Sequence, residues 1–388
     1  MTDGKLTARL AGRACDIGKA AWNACANPDG RASPHPFTRY EFFDAVESSG
    51  SATARTGWRP LHLVVERGGR TEGLLPLYLK SHSQGEYVFD HAWADALERA
   101  GGDYYPKLQA SVPFTPVTGR RFLTAREADE VETVGALLGA GASAVKELKA
   151  SSLHITFMTE AEWRIAGAAG YLLRTDQQFH WENRGYSSFD QFLSELSSAK
   201  RKTLRKEREA VRAAGVEFDW LTGDDLTEAV WDKFFAFYMD TGGRKWGHPY
   251  LTRDFFSRIG QNMADQILLV MARRNGRRIA GALNFSGEDV LFGRNWGCTE
   301  FVPFLHFETC YYQAIEFAIA RGLRKVEAGA QGAHKLLRGY MPATTFSAHY
   351  IAHPGLRRAV DDYLGSEREA VAGHIEELAM HGPFKKAS

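Results

Sequence analysis

The sequence predicts a mixed α+β protein made of two similar halves, each with a mixed sheet flanked by helices. Two observations support this prediction. A predicted helix followed by a β-hairpin occurs near residue 40 and again near residue 252, and both copies contain Thr-Arg (Thr38-Arg39 and Thr252-Arg253). After each hairpin, strands and helices follow in an order unlike that of a doubly wound parallel sheet. The repeated order and turn chemistry indicate an internal duplication.

The first half begins with an amphipathic helix and a hairpin. Phe37, Tyr40, Phe43 and Val46 are spaced for one helical face. Residues 61–66 are predicted to pair, around the turn Gly68-Gly69, with a second run that ends in residues 74–80. The remaining predicted elements are strands at 87–93, 110–117, 152–158 and 171–175, and helices at 95–101, 125–148 and 159–170.

The second half repeats this order after a helix at 250–263. Its hairpin pairs residues 267–272 with 277–285 around Asn275-Gly276, a dipeptide typical of type I′ turns, in which both central residues need positive φ. The later predicted elements are strands at 290–298, 325–332 and 346–352, and helices at 307–322, 334–340 and 356–380. We therefore predict an N-terminal domain at residues 1–175 and a C-terminal domain at 176–388.

Composition and charge exclude several classes of protein. The 388 residues include 48 basic and 47 acidic ones, for a formal net charge of +1, which argues against a DNA partner and a polybasic membrane surface. The four cysteines form no C-x-x-C pair. No apolar run has the length of a signal peptide or of a membrane span. We expect a cytoplasmic protein with no membrane span.

The densest basic segment is predicted to be a helix over residues 200–212. Arg201, Lys202, Arg205, Arg208 and Arg212 are spaced for one face of that helix. Such a face can hold phosphates through charge-assisted hydrogen bonds. The alternative is a solvated face that neighbouring glutamates partly neutralise.

A second group of polar residues follows the predicted strand that starts at Lys325. Glu327, Gln331, His334 and Lys335 are separated mainly by glycine and alanine. Small residues leave backbone N–H groups open to a ligand oxygen at a helix start, and Glu327 or His334 could accept a proton from an attacking amine. The alternative is a strand–helix turn whose polar side chains only cap it.

Two further groups are candidate substrate contacts. Polar residues within an aromatic stretch of the first half predict a binding wall formed by Asp90, Trp93, Asp95 and Tyr105, although each residue alone is equally well explained as a satisfied core polar group. Arg294 and Trp296 lie near the strand–helix junction of the second half. His306 and Cys310 are four residues apart, but no third ligand has metal-binding spacing, so we predict no metal site.

Nearly the whole chain resembles the FemAB-like predicted N-acyltransferases of the GNAT superfamily. The resemblance rests on the strings LPLYLKSHSQGEYVFDHAWADA, YYPKL, VPFTPVTG, QFHWENRGY, WGHPYL, GRNWGC, PFLHFETCYYQAIEFAIARGL and EAGAQGAHK. It implies two tandem GNAT folds and an acyl donor held between two splayed strands. The donor is acyl-CoA in most of the superfamily and aminoacyl-tRNA in the FemABX ligases. Either one would be a co-substrate rather than a tightly bound cofactor, and tRNA is then a candidate partner.

The resemblance also assigns roles to residues. Lys335 resembles the lysine that faces phosphate in the second domain of those ligases, and residues 200–212 resemble their Lys/Arg-rich helix. We expect donor contacts from Lys335, Arg338, Gln331, Arg201 and Arg205, and direct transfer to a small-molecule or peptide amine with Glu327 or His334 as base. The alternative function is a non-catalytic GNAT-like module that binds a peptidoglycan fragment or peptide.

Overall fold

The computed structural model describes residues 4–246, 249–329 and 332–385. The chain divides into two compact units, the first comprising Met1–Asp176 with Thr344–Gly373 and the second Gln177–Ala343 with His374–Ser388. The sequence-based division assigned all of 176–388 to the second half, whereas 344–373 belong to the first unit. Strand pairing explains the difference, because the segment from Phe346 to Ile351 pairs with the strand Ser152–Met158.

Strands and helices occur throughout the described chain. The strands are β1 (Thr7–Ala11), β2 (Trp58–Pro60), β3 (His62–Arg67), β4 (Arg70–Leu75), β5 (Leu77–Lys80), β6 (Lys107–Ala110), β7 (Leu123–Thr124), β8 (Ser152–Met158), β9 (Leu172–Glu182), β10 (Val216–Leu221), β11 (Ile267–Arg274), β12 (Arg277–Ser286), β13 (Val290–Cys298), β14 (Lys325–Glu327) and β15 (Met341–Ile351). The α-helices are α1 (Ala14–Ile17), α2 (Lys19–Ala26), α3 (Tyr40–Ser48), α4 (His91–Arg99), α5 (Glu130–Glu147), α6 (Glu160–Ala168), α7 (Phe189–Glu195), α8 (Ser198–Ala213), α9 (Glu228–Trp246), α10 (Arg253–Asn262), α11 (Leu305–Phe307), α12 (Gln313–Ala320) and α13 (Pro354–Met380). A π turn (Glu308–Tyr312) joins α11 to α12, and short 3-10 helices include Ala333–Arg338.

The first unit contains two sheets. One has the order β1-β3-β4-β7, with antiparallel neighbours. The other has the order β2-β5-β6-β8-β15, in which β6 and β8 are parallel and the other pairs antiparallel. Helix α5 packs against β3, β4 and β8, and its Leu137 and Val145 join a core that includes Leu63 and Leu153.

The second unit contains one sheet of order β10-β11-β12-β13-β14-β9, to which β9 contributes its C-terminal residues. Its neighbours are antiparallel except β13 and β14, which are parallel. Helix α9 packs against β12 and β13, and a Cβ added at Gly297 would lie 2.1 Å from the carbonyl oxygen of Phe237. Glycine is therefore required where this helix crosses the sheet. The predicted α+β class is confirmed.

Both predicted hairpins are confirmed at their turns, but the first ends at Leu75, because residues 77–80 form β5 in the other sheet of the unit. Asn275 and Gly276 have φ of 51° and 74° and connect β11 to β12. Gly68 and Gly69 have φ of 58° and 80° and connect β3 to β4. The turn residues determine these connections because few other side chains tolerate positive φ.

Four predicted elements differ from the structure. The strand predicted at 87–93 is wrong, because Asp90 is instead the N-cap position of α4. The strand predicted at 110–117 ends at Ala110, since the prolines that follow cannot donate to a ladder. The strand predicted at 325–332 ends at Glu327, and the helix predicted at 334–340 is the 3-10 helix Ala333–Arg338.

Candidate functional site

A gap opens between β13 and β14 in the second unit. The two strands pair from Val290↔Lys325 to Phe292↔Glu327, after which β13 continues to Cys298 whereas β14 has ended. On its other edge, β13 pairs with β12 through a bulge between Leu283 and Asn284. The cavity at this position has a volume of about 80 Å³ and is lined by Ala282, Leu283, Asn284, Gly293, Arg294, Asn295, Trp296, His306, Cys310, Tyr311 and Ala328. The predicted contacts Arg294 and Trp296 both line it.

Glu327 is buried at the end of β14 among positive or titratable groups. Its Oε1 accepts from the Lys325 ammonium at 2.7 Å and lies 4.0 Å from His180 Nε2, and its Oε2 lies 4.0 Å from Arg294 Nη2. Burial alone would raise the pKa of Glu327, but His180, Lys325 and Arg294 together lower this pKa to about 2. Glu327 is therefore ionised at neutral pH and is a weak proton acceptor.

His334 and Lys335 lie on the 3-10 helix near this cavity. The Oη of Tyr311 and Nε2 of His334 are 3.0 Å apart, and the His334 ring also packs against the rings of Phe307 and His306. The Lys335 ammonium is buried and donates to the carbonyl oxygen of Gly329 at 3.0 Å. Burial, aided by the nearby Arg294 charge, lowers the pKa of Lys335 to about 8.

Arg338 does not occupy the position that a donor-binding role predicts. It is buried, and its guanidinium donates to both carboxylate oxygens of Glu207 at 2.8 and 2.9 Å. The same group donates to the carbonyl oxygen of His334 at 2.7 Å. This geometry makes Arg338 an internal link between α8 and the 3-10 helix.

Helix α8 carries the predicted basic face, but with one exception. Arg205 is exposed and lies 3.6 Å from Asp190, and the half-buried Arg201 donates to the Ser194 carbonyl at 3.5 Å. Arg208 was predicted on the same face and is instead buried, where it pairs with Glu308 and Glu316. Periodicity placed these residues on one stripe, but the acidic groups of a neighbouring helix decided which of them became buried. Gln331 lies outside the described residues.

The predicted substrate wall of the first unit is a buried charge network. The Lys107 ammonium donates to Asp90, and to Glu86 at 2.7 Å, while the Tyr104 hydroxyl donates to Asp90 at 2.7 Å. Asp90 is desolvated, yet Lys107 keeps its pKa well below the ordinary range. Lys80 lies 3.6 Å from Glu86, and burial lowers its pKa to about 7. Asp90 is therefore buried and paired with internal groups rather than presented to solvent.

The other predicted wall residues separate into buried and exposed ones. Trp93 is buried, with its ring centroid 4.9 Å from that of His349. The Tyr105 hydroxyl is 2.8 Å from Ser83 Oγ, beside the same network. Asp95 is exposed on the outer face of α4. The structure therefore brings Asp90, Trp93 and Tyr105 together and leaves Asp95 outside.

Several residues at these two sites were missed from the sequence. His154 and His349 are hydrogen-bonded through their Nδ1 atoms at 2.7 Å although 195 residues separate them. His180 and Glu327 are paired across β9 and β14, and the lysine beside them, Lys325, was not singled out. Pairings between strands so distant in sequence leave no local signal. Gln178 and His180 alternate on one face of a strand, and the string QFHWENRGY that contains them was part of the family resemblance.

Two negative findings apply to the described residues. In residues 4–246, 249–329 and 332–385, no three His, Cys, Asp or Glu side chains are grouped so as to hold a metal ion. Within the same ranges, none of the helices combines the length and apolar character needed to cross a membrane.

The two units and the splayed strands define a protein with the α+β tandem GNAT fold. Solved structures with a similar fold include FemX (12% identity over 88% of this chain and 98% of that chain, TM-score 0.55). A second is L-PGS from Bacillus licheniformis (11% identity, 86% and 98% of the two chains, TM-score 0.51). Among curated proteins, none matches this sequence.

The family follows from the sequence match. Residues 13–386 match the model of the FemAB-like family, which is described as peptidoglycan biosynthesis/recognition. The chain belongs to this family, and the predicted resemblance is confirmed. Family and fold together support the broad class that the sequence predicted, an acyl or aminoacyl transferase.

Proposed function

We propose that this protein is an N-acyltransferase that moves an acyl or aminoacyl group from a phosphate-bearing donor to an amine. The observation that carries the proposal is the cavity between β13 and β14, lined by Arg294 and lying near the buried ammonium of Lys335. Cavities that hold reactive ligands combine apolar walls with a few polar groups. Here the aromatic ring of Trp296 and the carbon atoms of Ala328 supply such walls.

The proposed donor is anionic. The buried Lys335 ammonium donates a hydrogen bond to an uncharged carbonyl oxygen. Burial lowers the pKa of Lys335, and the charge of Arg294 lowers it further. Holding this ammonium in its charged form therefore costs free energy. An anionic group of the donor, a phosphate or the developing oxyanion, would offset that cost on binding.

The proposed reaction is direct attack without a covalent enzyme intermediate. The amine nitrogen forms a bond to the acyl carbon, and the thioester C–S or ester C–O bond of the donor then breaks. The leaving thiolate or alkoxide receives a proton as the amine loses one. Lys335 and Arg294 would stabilise negative charge on the carbonyl oxygen of the tetrahedral intermediate, and positioning of the two substrates would supply much of the rate.

Of the two predicted bases, the geometry favours His334. The pKa of Glu327 near 2 makes its carboxylate too weak to take a proton from an amine near neutral pH. The His334 ring is oriented by the Tyr311 hydroxyl 3.0 Å from Nε2. Glu327 would then hold Arg294 and Lys325 in place rather than accept the proton.

The proposal allows two donor classes, acyl-CoA and aminoacyl-tRNA. Substitutions on α8 distinguish between them. Lys202, Arg205 and Lys206 are exposed on this helix. With aminoacyl-tRNA as donor, replacing all three with glutamate should abolish tRNA binding and flatten its salt dependence. With acetyl-CoA as donor, the triple variant should bind as the wild type does. A matched control places glutamate at Lys146, Lys149 and Arg358, which are exposed in the first unit.

The family description supports a cell-wall peptide as the first amine acceptor to test. Because both donor classes and peptidoglycan precursors occur in the cytoplasm, we propose that the reaction takes place there.

Alkylation of Cys310 tests the donor site directly, because this residue lines the cavity. In a variant with Cys15 and the half-buried Cys298 replaced by serine, iodoacetamide should modify Cys310, and acetyl-CoA or alanyl-tRNA should protect it. Transfer of the labelled acyl group to a muropeptide amine is measured in parallel. If neither donor protects Cys310 while the muropeptide raises the melting temperature, the protein is instead a binding module.

A further inference from the structure

The short helix that carries His334 and Lys335 depends on contacts from outside itself. Ala333–Arg338 form six residues of 3-10 helix, a conformation with little stability of its own. Gly332 and Gly339 flank it with φ of 112° and 88°. Its position is therefore determined by the side chains that pack on it.

Arg338, the last residue of this helix, hydrogen-bonds both to the helix itself and to α8. One nitrogen donates to the His334 carbonyl at 2.7 Å, and another donates to both oxygens of Glu207. The guanidinium carbon also lies 3.4 Å from the centroid of the Phe307 ring. Because a guanidinium is planar and its donors are fixed, these three contacts leave it one orientation.

Glu207 connects this guanidinium to the helix beside the cavity. It is buried on α8 and also accepts a hydrogen bond from the Tyr312 hydroxyl. Tyr311, which precedes Tyr312 on the π turn, is hydrogen-bonded through its hydroxyl to the His334 ring. His334 is thus held at its carbonyl through Arg338 and at its ring through Tyr311.

We propose that Glu207 and Arg338 are positioning residues that fix His334 and Lys335 beside the donor cavity. The effect on catalysis rests on the proposed function. The effect on the surroundings of Lys335 does not, and it can be measured without a donor. The positioning role replaces the donor-phosphate role that the sequence suggested for Arg338, because the guanidinium is buried with a carboxylate partner.

The neighbouring residue on α8 offers a matched control. Arg208 is also buried in ion pairs, with Glu308 at 2.8 Å and Glu316 at 2.8 Å. Breaking either pair leaves a buried charge and should lower the melting temperature. Breaking the Glu207–Arg338 pair should in addition disturb His334 and Lys335, because Arg338 connects Glu207 to the 3-10 helix that carries both residues.

The test is the pKa of Lys335 in the full chain, followed by NMR of 13C-labelled lysine. The Lys335 signal is assigned by its loss in Lys335→Met. Arg294 on β13 and Cys310 on the π turn are the charged or titratable groups that shift its pKa, together with burial. In Glu207→Gln the loosened helix should admit water and raise the pKa of Lys335 by about one unit, whereas Arg208→Met should leave it unchanged.

Kinetics provide the second readout. Glu207→Gln and Arg338→Met should each lower kcat about tenfold or more, and the double variant should be no worse than either one. An unmoved Lys335 pKa in Glu207→Gln overturns the proposal. So does a loss of donor binding in Arg338→Met that Glu207→Gln does not reproduce, since Arg338 would then contact the donor. If the wild type binds no donor, the proposed function fails and the NMR result still decides the positioning role.

Discussion

Burial and neighbouring charge act in the same sense on the pKa of Lys335 but in opposite senses on the pKa of Glu327. Lys335 is buried beside the positive Arg294, so its pKa falls to about 8. Glu327 is also buried, which alone would raise its pKa, but His180, Lys325 and Arg294 lower this pKa to about 2. The charged lysine therefore destabilises the native state, whereas the charged glutamate stabilises it.

Replacing Lys335 with methionine should stabilise the fold while weakening donor binding. Below pH 8 the native state holds a proton on Lys335 at a cost, and that cost disappears as pH rises from about 8 to the ordinary pKa of 10.5. At pH 7 the variant should gain up to about 3 kcal/mol in unfolding free energy, and the gain should shrink toward pH 10. Urea unfolding at both pH values measures this. The exposed Lys206→Met is the control, and destabilisation at pH 7 would contradict the prediction.

Replacing Glu327 with glutamine should have the opposite effect. The stability that this carboxylate contributes is present above its ordinary pKa of 4.5 and is lost as pH falls toward 2. The variant should therefore lose about 3 kcal/mol at pH 7, and the difference from the wild type should narrow between pH 4.5 and pH 2. Unfolding at pH 7, 4 and 3 tests this, with the exposed Glu182→Gln as control. A constant difference across this range would show that charge is not the cause.

At the scale of residues, the sequence singled out several residues that lie in or near the cavity of the second unit, but it did not reveal the partners of their charges. Glu327, His334 and Lys335 were found because small residues surround them in one short segment. Arg338 was assigned to a ligand because the partner that uses its charge, Glu207, is 131 residues away. Asp90 was predicted to contact a substrate, whereas folding buries it beside Lys107, which lies 17 residues further along the chain.

At the scale of elements, the packing of α9 on β13 depends on one missing side chain. A Cβ at Gly297 would overlap the Phe237 carbonyl, so Gly297→Ala must push the helix away from the sheet. We expect a loss of about 3 kcal/mol or more in unfolding free energy. The same substitution at Gly139, an exposed position of α5 with open space around its Cβ, should stabilise by about 1 kcal/mol. Equal thermal unfolding of the two variants would refute this account.

Elements were predicted well where turn chemistry was local. The turns of both hairpins were correct because glycine and Asn-Gly specify them. The segment 87–93 was predicted as a strand, yet it leads into α4, with Asp90 at the N-cap position and in contact with Lys107. The types of residue in this segment do not show that Asp90 precedes a helix rather than lying within a strand.

At the scale of the whole molecule, residues 1–175 are not sufficient to complete the first unit. Strand β15 supplies Ala348 to its core and pairs with β8, with His349 opposite His154. A fragment ending at residue 175 would expose that edge and remove the hydrogen bond between His154 and His349. We expect this fragment to unfold without cooperativity in circular dichroism, and co-expression with residues 344–373 to restore a cooperative transition. A cooperative transition of 1–175 alone would show that the return segment is dispensable.

By itself, the sequence determined the α+β class, the duplication, the two hairpins and the family, because these depend on residue type and spacing along the chain. The tertiary structure decided which charges are paired within the fold and which lie beside the cavity. Lys335 became a buried cation beside a cavity, whereas Arg338 and Arg208 acquired carboxylate partners. The physical reason is that a charge is available to a ligand only if folding brings it no closer partner, and those partners come from distant parts of the sequence.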